Sequence, residues 1–552
     1  MDEVFSILAM VLRALPSLLM LFVGLLAPAR SQCQGRPQAP SSEDTVMQHF
    51  GTALEDMRAG HFQAAIDQLK LVLRADPGLV EARVNLGLAY HATGEYRLAL
   101  AELSQAAEQR PDLLPASLFL GISYLKLGSP AKAIPPLDHA LALDPSNREA
   151  RRALAMADLS QGNYGDATRE FRKLFAADSD RADAWFTLGR DYLQMAKRLT
   201  SQLSLQFSHS AWSFRLAGDV LAERQLWSDA AAAYRKAIAA DPAQPGLHAA
   251  LNEVLLRAGK AQEAESESKA EHNPNGHKMQ VTKSRARCDQ DEGSCAESLK
   301  SHKQLSGPEA VRLGQARLAV GQDEAASDAF AAGLSVDNVN PEIMYWLSFS
   351  YLRLADTCFD QLTSMYPDSW RAHELKGEAL GIRQAEREAS EEFRIAARLH
   401  PDDAEIHETL GDLLLRQNQL VQGKAELETA LRLNPMAPRS LYLLGSLYVN
   451  QREPAEGIPY LEAALRYDPS LTEARPVLGK AYLKVGKPDR AIAQLEQSAA
   501  IDRYGDLHYL LYQAYRDDGK PELAAQALAR SQELRRKSAA DDQAKIQPLD
   551  QK

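Results

Sequence analysis

Residues Val80 to Leu113 read VEARVNLGLAYHATGEYRLALAELSQAAEQRPDL, and this stretch governs how the rest of the chain is understood. Leu86, Gly87 and Tyr90 share one face of a helix, which Gly94 breaks. A second helix follows from Glu95 to about Glu108, with Ala99, Leu103 and Ala106 on its inner side. Pro111 closes the unit, because proline lacks the N–H that a continuing helix needs. Outward from this stretch the landmarks return at one constant interval: Pro77, Pro111 and Pro145, then Pro401, Pro435 and Pro469. The same step separates Gly87 from Gly121, Gly411 from Gly445 and Gly479, and Tyr448 from Tyr482.

These residue types suit close packing. Glycines such as Gly87 and Gly445, and alanines at Ala65, Ala99, Ala133, Ala230, Ala389 and Ala491, let two helix backbones approach. Tyr90, Tyr124, Tyr192, Tyr351, Tyr448, Tyr482 and Tyr515 fill the remaining space and read as core, with no chemistry assigned. The pattern of Leu-Gly, Tyr, Ala, a large apolar residue and Pro at fixed offsets resembles the tetratricopeptide repeat family across most of residues 46–537. That resemblance implies an all-α fold, a right-handed superhelical solenoid of about 14 helical hairpins in two arrays joined by an irregular linker. The units begin near Val46, Val80, Leu114, Arg148, Ala182, Ala211, Pro245, Gly307, Pro341, Trp370, Ala404, Pro438, Thr472 and Gly505.

A longer repeat overlies the short one: a single ungapped shift places Leu154 on Leu313, Phe171 on Phe330, Tyr192 on Tyr351 and Gly218 on Gly377. Each copy holds a shortened unit, 182–210 and 341–369, lacking the five positions that normally turn the first helix into the second. A nearly continuous helix or a tight kink is expected through Tyr192–Ala196 and Tyr351–Ala355.

With 63 Lys+Arg against 74 Asp+Glu and a net charge of -11, the chain lacks the basic footprint that binding a phosphate backbone requires, so no nucleic-acid partner is expected. Leu15–Ala27 is an apolar run followed by Ala27-Pro28-Ala29, a small-x-small pattern that reads as a signal peptide over 1–29 cleaved after Ala29. An uncleaved membrane anchor is the alternative, and a start at Met10 would remove the awkward Asp2 and Glu3. Either reading exports the bulk of the chain, to the periplasm or outside the cell. The expected order is a flexible segment over 30–44, a first array over 45–271, a linker over 272–306, a second array with its capping helix over 307–537, and a disordered tail over 538–552.

Cys288 and Cys295 in the linker suit a local disulfide in an oxidising compartment. A metal site using His272, His277, Cys288, Cys295 and His302 lacks the close cysteine spacing of structural zinc, and Asp289, Asp291 and Glu292 fall short of a calcium loop. Cys358 reads as a small core residue and Cys33 as part of the N-terminal segment. His248 and His407 occupy equivalent places in the two copies and read as helix-surface residues before catalytic ones. No nucleotide-binding, zinc-protease or nucleophile-elbow motif occurs, so no enzyme activity, cofactor or metal is expected.

Function then falls to the surface that stacked first helices offer. Family resemblance implies that the second, fifth, ninth, twelfth and thirteenth residues of each unit face the groove. Val84, Leu88, Leu118 and Ile122 form an apolar strip there, suited to a hydrophobic or helical peptide. Arg439, Tyr442, Ser446, Asn450, Lys480, Lys484, Tyr509, Gln513 and Arg516 form a polar, locally basic surface suited to an acidic or aromatic ligand. The expected function is a noncatalytic scaffold for protein or peptide partners; the alternative is an assembly or carrier factor for an envelope polysaccharide or secretion machine.

Overall fold

The computed structural model describes residues 42–271 and 305–546. The N-terminal apolar run with its cleavage site, Cys33, the Cys288–Cys295 pair with its histidines, and the last six residues lie outside them. Among the described residues there are 26 α-helices, one short 3-10 turn at Ala499–Ile501, and no strand. Consecutive helices pack as antiparallel-type hairpins such as Val80–Ala92 with Tyr96–Gln109 and Pro438–Asn450 with Pro454–Tyr467.

The hairpin is built from local chemistry. Asn147, Ser210, Asn340, Ser369 and Asp403 start helices by accepting a backbone N–H of the first turn on their side chains. In twelve of the fourteen units the fifteenth residue takes a positive φ and turns the chain back. Glycine holds this place in most units, as at Gly94, but Gln225, Gln384, Asn418 and Arg452 adopt the same conformation at φ of 59–68°. Across the hairpin the eighth residue meets the twenty-fourth: a Cβ on Gly87 would sit 2.6 Å from Leu103 Cγ, and one on Gly445 would sit 2.7 Å from Leu461 Cγ and 3.0 Å from the Gly457 carbonyl. The alanines expected between the helices are all fully buried. Tyr90, Tyr192, Tyr351, Tyr482 and Tyr515 are buried as well, while Tyr124 and Tyr448 are partly so. Even the charged second helix of the seventh unit forms, over Ala261–Glu271, with Ala264 buried against its partner.

The described helices cluster into two compact units that divide between Tyr366 and Pro367. Helices on both sides of the 272–306 segment therefore share one unit, and the hairpins from Trp370 onward form the other. The last helix, Pro521–Ile546, continues past Lys537. Ser531 donates to the Gly505 carbonyl (2.7 Å), which seats this helix against the final hairpin.

The two units that lack a turn residue are the shortened ones, and each is a single helix of 25 residues: Ala182–Gln206 and Pro341–Met365. Straightened in this way, neither can fold its second half back onto its first. Instead the two long helices pack on each other, with Tyr192 and Tyr351 stacked at 5.8 Å. Gly189, the eighth residue of its unit, would place a Cβ 2.5 Å from Phe359 Cε1. Phe359 is the nineteenth residue of its own unit, and restoring the five missing positions makes it the twenty-fourth. The second copy thus supplies to the first the packing residue that an ordinary hairpin supplies to itself. Neighbouring hairpins reinforce the joint: the Tyr351 hydroxyl lies 2.8 Å from Thr168 Oγ1, and Arg172 donates to Ser327 (3.0 Å), Asp328 (2.8 Å) and the Tyr192 hydroxyl (3.0 Å). Phe171, Phe330, Met195 and Cys358 are buried in the same core, so Cys358 is the small core residue its place suggested.

Candidate binding face

In five hairpins a recurring polar rung sets the roll of the first helix against the second. The fourth residue of the unit bonds the twenty-third, nineteen positions later: Arg83 with Glu102, Arg151 with Glu170, His248 with Glu267, His373 with Glu392 and His407 with Glu426. His248 and His407 are therefore hairpin cross-links and not simple surface residues. His407 is buried, with Nδ1 2.6 Å from Glu426 and Nε2 3.0 Å from the Pro401 carbonyl. The hydrogen bond to Glu426 raises its pKa above the ordinary histidine value, against the opposing effect of burial.

Val84, Leu88, Leu118 and Ile122 lie on the adjacent helices Val80–Ala92 and Leu114–Lys126, and all four are buried. His91 sits beside them, edge-on to Phe119 and sharing a hydrogen bond with Ser123 Oγ (2.8 Å). Burial, with a smaller contribution from Lys126, pushes its pKa down to about 4, so the imidazole beside this apolar strip is neutral near pH 7.

Further along the same compact unit the inner positions close on themselves. Arg215 lies over the rings of Tyr345 (5.0 Å), Trp212 (5.6 Å) and Trp346 (5.6 Å). Asp219 accepts hydrogen bonds from Tyr234 (2.6 Å) and Tyr345 (2.7 Å). Arg215, Asp219 and Tyr345 hold the fifth and ninth places of their units, places expected to face a groove, and here they are occupied by packing between the copies.

The other compact unit keeps its wall open. Arg439, Asn450, Lys480, Lys484, Tyr509 and Arg516 are exposed, whereas Tyr442, Ser446 and Gln513 are half-buried. They arise from three successive first helices, Pro438–Asn450, Ala474–Lys484 and Asp506–Asp517. Not all are equally available. Arg439 is held by Asp412 (3.0 Å) and Glu408 (3.8 Å) of the preceding hairpin, and Arg516 by its neighbour Asp517 (2.8 Å). Lys480 and Lys484 make no ion pair among the described residues; Lys484 reaches only the Val449 carbonyl, at 3.4 Å. Tyr509 stands beside Tyr512 (5.8 Å), and Arg535 lies 5.4 Å over its ring.

Upstream on the same wall lie carboxylates that the basic surface does not include. Glu374 and Glu378 stand on Trp370–Ile382, and Glu405, Glu408 and Asp412 on Ala404–Arg416, at the second, fifth or ninth place of their units. Burial pushes Glu374 up to about 7 despite Arg371 at 2.7 Å. Burial likewise raises Glu408, which accepts a hydrogen bond from Ser440 (2.5 Å). The inner-position rule applied to residues 370–416 finds them; their regularity is masked by the helix-surface charge around them.

A sequence family described as tetratricopeptide repeat matches residues 92–148 and 408–472, and a second of the same description matches 56–119 and 124–190. The chain is a multi-repeat tetratricopeptide repeat protein. No curated protein sequence matches it. Among solved structures, this tetratricopeptide repeat protein is similar to YrrB, described as a TPR protein with an unusual peptide-binding site: 21% identity over 34% of this chain and 97% of that one, TM-score 0.30. It is also similar to MamA from Desulfovibrio magneticus RS-1, at 20% identity over 31% and 97% of the two chains, TM-score 0.29. The Cut9–Hcn1 assembly of the APC/C gives 14% identity over 90% and 94%, TM-score 0.29. The repeats support a protein-interaction scaffold in general terms. Among the described residues no group of three or more His, Cys, Asp or Glu could hold a metal ion, and no helix is long and apolar enough to cross a membrane.

Proposed function

We propose that this tetratricopeptide repeat protein is a noncatalytic scaffold that binds a peptide segment of a partner protein along the inner face of residues 438–516. The observation that carries this reading is the pair Lys480 and Lys484, exposed one helical turn apart and without a carboxylate, with Asn450, Tyr509 and Gln513 at the corresponding positions of the adjoining first helices. Lysines that have no carboxylate partner, on helices that also carry tyrosines, suit an acidic segment carrying an aromatic side chain. The buried strip of Val84, Leu88, Leu118 and Ile122 offers less free surface, and the wall around Arg215 and Tyr345 is already filled. The N-terminal apolar run supports placing the scaffold outside the cytoplasm, in the periplasm or beyond, released by cleavage or held by an anchor.

The test is affinity capture from an envelope fraction with the full chain, run beside a Lys480→Glu, Lys484→Glu double variant, with both eluates compared by mass spectrometry. Partners retained by the native chain should be depleted about tenfold or more by the double reversal, since it replaces two attractions by two repulsions. An unchanged set of partners rules this face out.

A further inference from the structure

The inner positions from Trp370 to Asp517 are uneven in charge. Upstream, Glu374, Glu378, Glu405, Glu408 and Asp412 outnumber Arg371 and Arg416; downstream, Lys480 and Lys484 have no carboxylate partner, while Asp506 and Asp517 are held by Arg535 and Arg516 and Glu473 stands at the second place of its unit. Arg439 stands at the divide and is bonded back to the acidic side, by Asp412 at 3.0 Å and Glu408 at 3.8 Å. A cation is thus already drawn into the acidic side from within the fold, while among the described residues nothing anionic is drawn to the lysines. Two buried carboxyls there, Glu374 and Glu408, are held above the ordinary carboxylate range by desolvation, the condition that a further cation would relieve.

We infer that this wall is a bipolar cradle for one extended peptide that carries a basic residue toward Glu374 and Glu405 and an acidic residue toward Lys480 and Lys484. The inference rests on the peptide-scaffold reading above and adds the ligand's charge pattern to it. The spacing follows from the stack. First helices of successive hairpins lie about 10 Å apart, so the step from Ala404–Arg416 to Ala474–Lys484 is about 20 Å. An extended chain covers that distance in about six residues. Tyr442 and the small side chain of Ser446 lie between the poles, half-buried, and leave room for small or apolar residues in the middle of the ligand.

The experiment uses the full chain and fluorescence anisotropy with synthetic labelled peptides: one with two arginines and two glutamates separated by about six alternating glycines and serines, the same peptide in reverse order, one with only the glutamates, and one with only the arginines. One order of the two-charge peptide should bind about tenfold more tightly than the acidic peptide, and the gain should vanish when salt shortens the screening length to a few ångströms. The variant Glu378→Lys, Glu405→Lys should lose that gain and bind the acidic peptide at least as tightly as the native chain does. The full reversal, with Lys480→Glu and Lys484→Glu added, should prefer the opposite order. Equal affinity for the acidic and two-charge peptides overturns the bipolar reading and leaves the scaffold reading standing. No binding of any peptide overturns both.

Discussion

Replacing Tyr351 by alanine strikes the joint between the two copies at its centre. Tyr351 is fully buried, stacks on Tyr192 at 5.8 Å and meets Thr168 Oγ1 at 2.8 Å. Removing a buried aromatic ring and leaving the space empty costs about 3–5 kcal/mol. The hydroxyl accounts for a small part, because Thr168 keeps its second bond, to the Tyr164 carbonyl at 2.7 Å. Tyr351→Phe should therefore cost about 1 kcal/mol and separates the bond from the packing. The assay is urea unfolding followed by circular dichroism, with hydrogen exchange read by mass spectrometry on the native protein. For Tyr351→Ala, exchange should quicken in Tyr164–Ala176, in Ala182–Gln206 and in Pro341–Met365 together, because the three share one core. Amides of Pro438–Asn450, in the other compact unit, should keep their protection. A loss of stability under about 1 kcal/mol, or faster exchange confined to Pro341–Met365, refutes the shared core.

Two histidines should respond to pH in opposite directions. His91, depressed to about 4 in the fold against 6.5 unfolded, takes its proton in the unfolded chain first, so its contribution falls as pH drops from 6.5 toward 4. His91→Gln should flatten that part of a thermal-melt pH profile. His407 has a raised pKa, so its rung with Glu426 is at full strength below 6.5 and weakens as pH climbs through the folded value. His407→Gln should remove that loss on the alkaline side, seen as a flatter melting-temperature profile in the same window. Arg452 turns its hairpin at φ 68°, a conformation that costs a side-chain-bearing residue about 1 kcal/mol. Arg452→Gly should thus leave the fold at least as stable in urea; a clear loss would mean that the arginine contributes more than the turn.

Much of the fold can be read directly in the chain, because a helical hairpin records its packing within one period. The pairing of Gly87 with Leu103 and the turn at Gly94 are local, and the absence of five positions after Tyr192 and Tyr351 announces the long helices. The meeting of those helices is harder to see. Gly189 cannot meet its own equivalent residue, Thr200, because both lie on one straight helix, and only that hints that Phe359 fills the place from the other copy. The rung from His407 to Glu426 is present as a spacing of nineteen that recurs at Arg83 and His373. It escapes notice because a histidine considered alone on a helix has no visible partner. At the expected inner positions the sequence does not reveal availability: Arg439 is exposed but held by Asp412, whereas Lys480 has no such partner.

The link between Gly189 and Phe359 ties the histories of two stretches that lie far apart in the chain. Removing either long helix would leave the other with a bare flank. A substitution that adds bulk at Gly189 should therefore be tolerated only together with a smaller side chain at Phe359, so that the two positions behave as one packing unit.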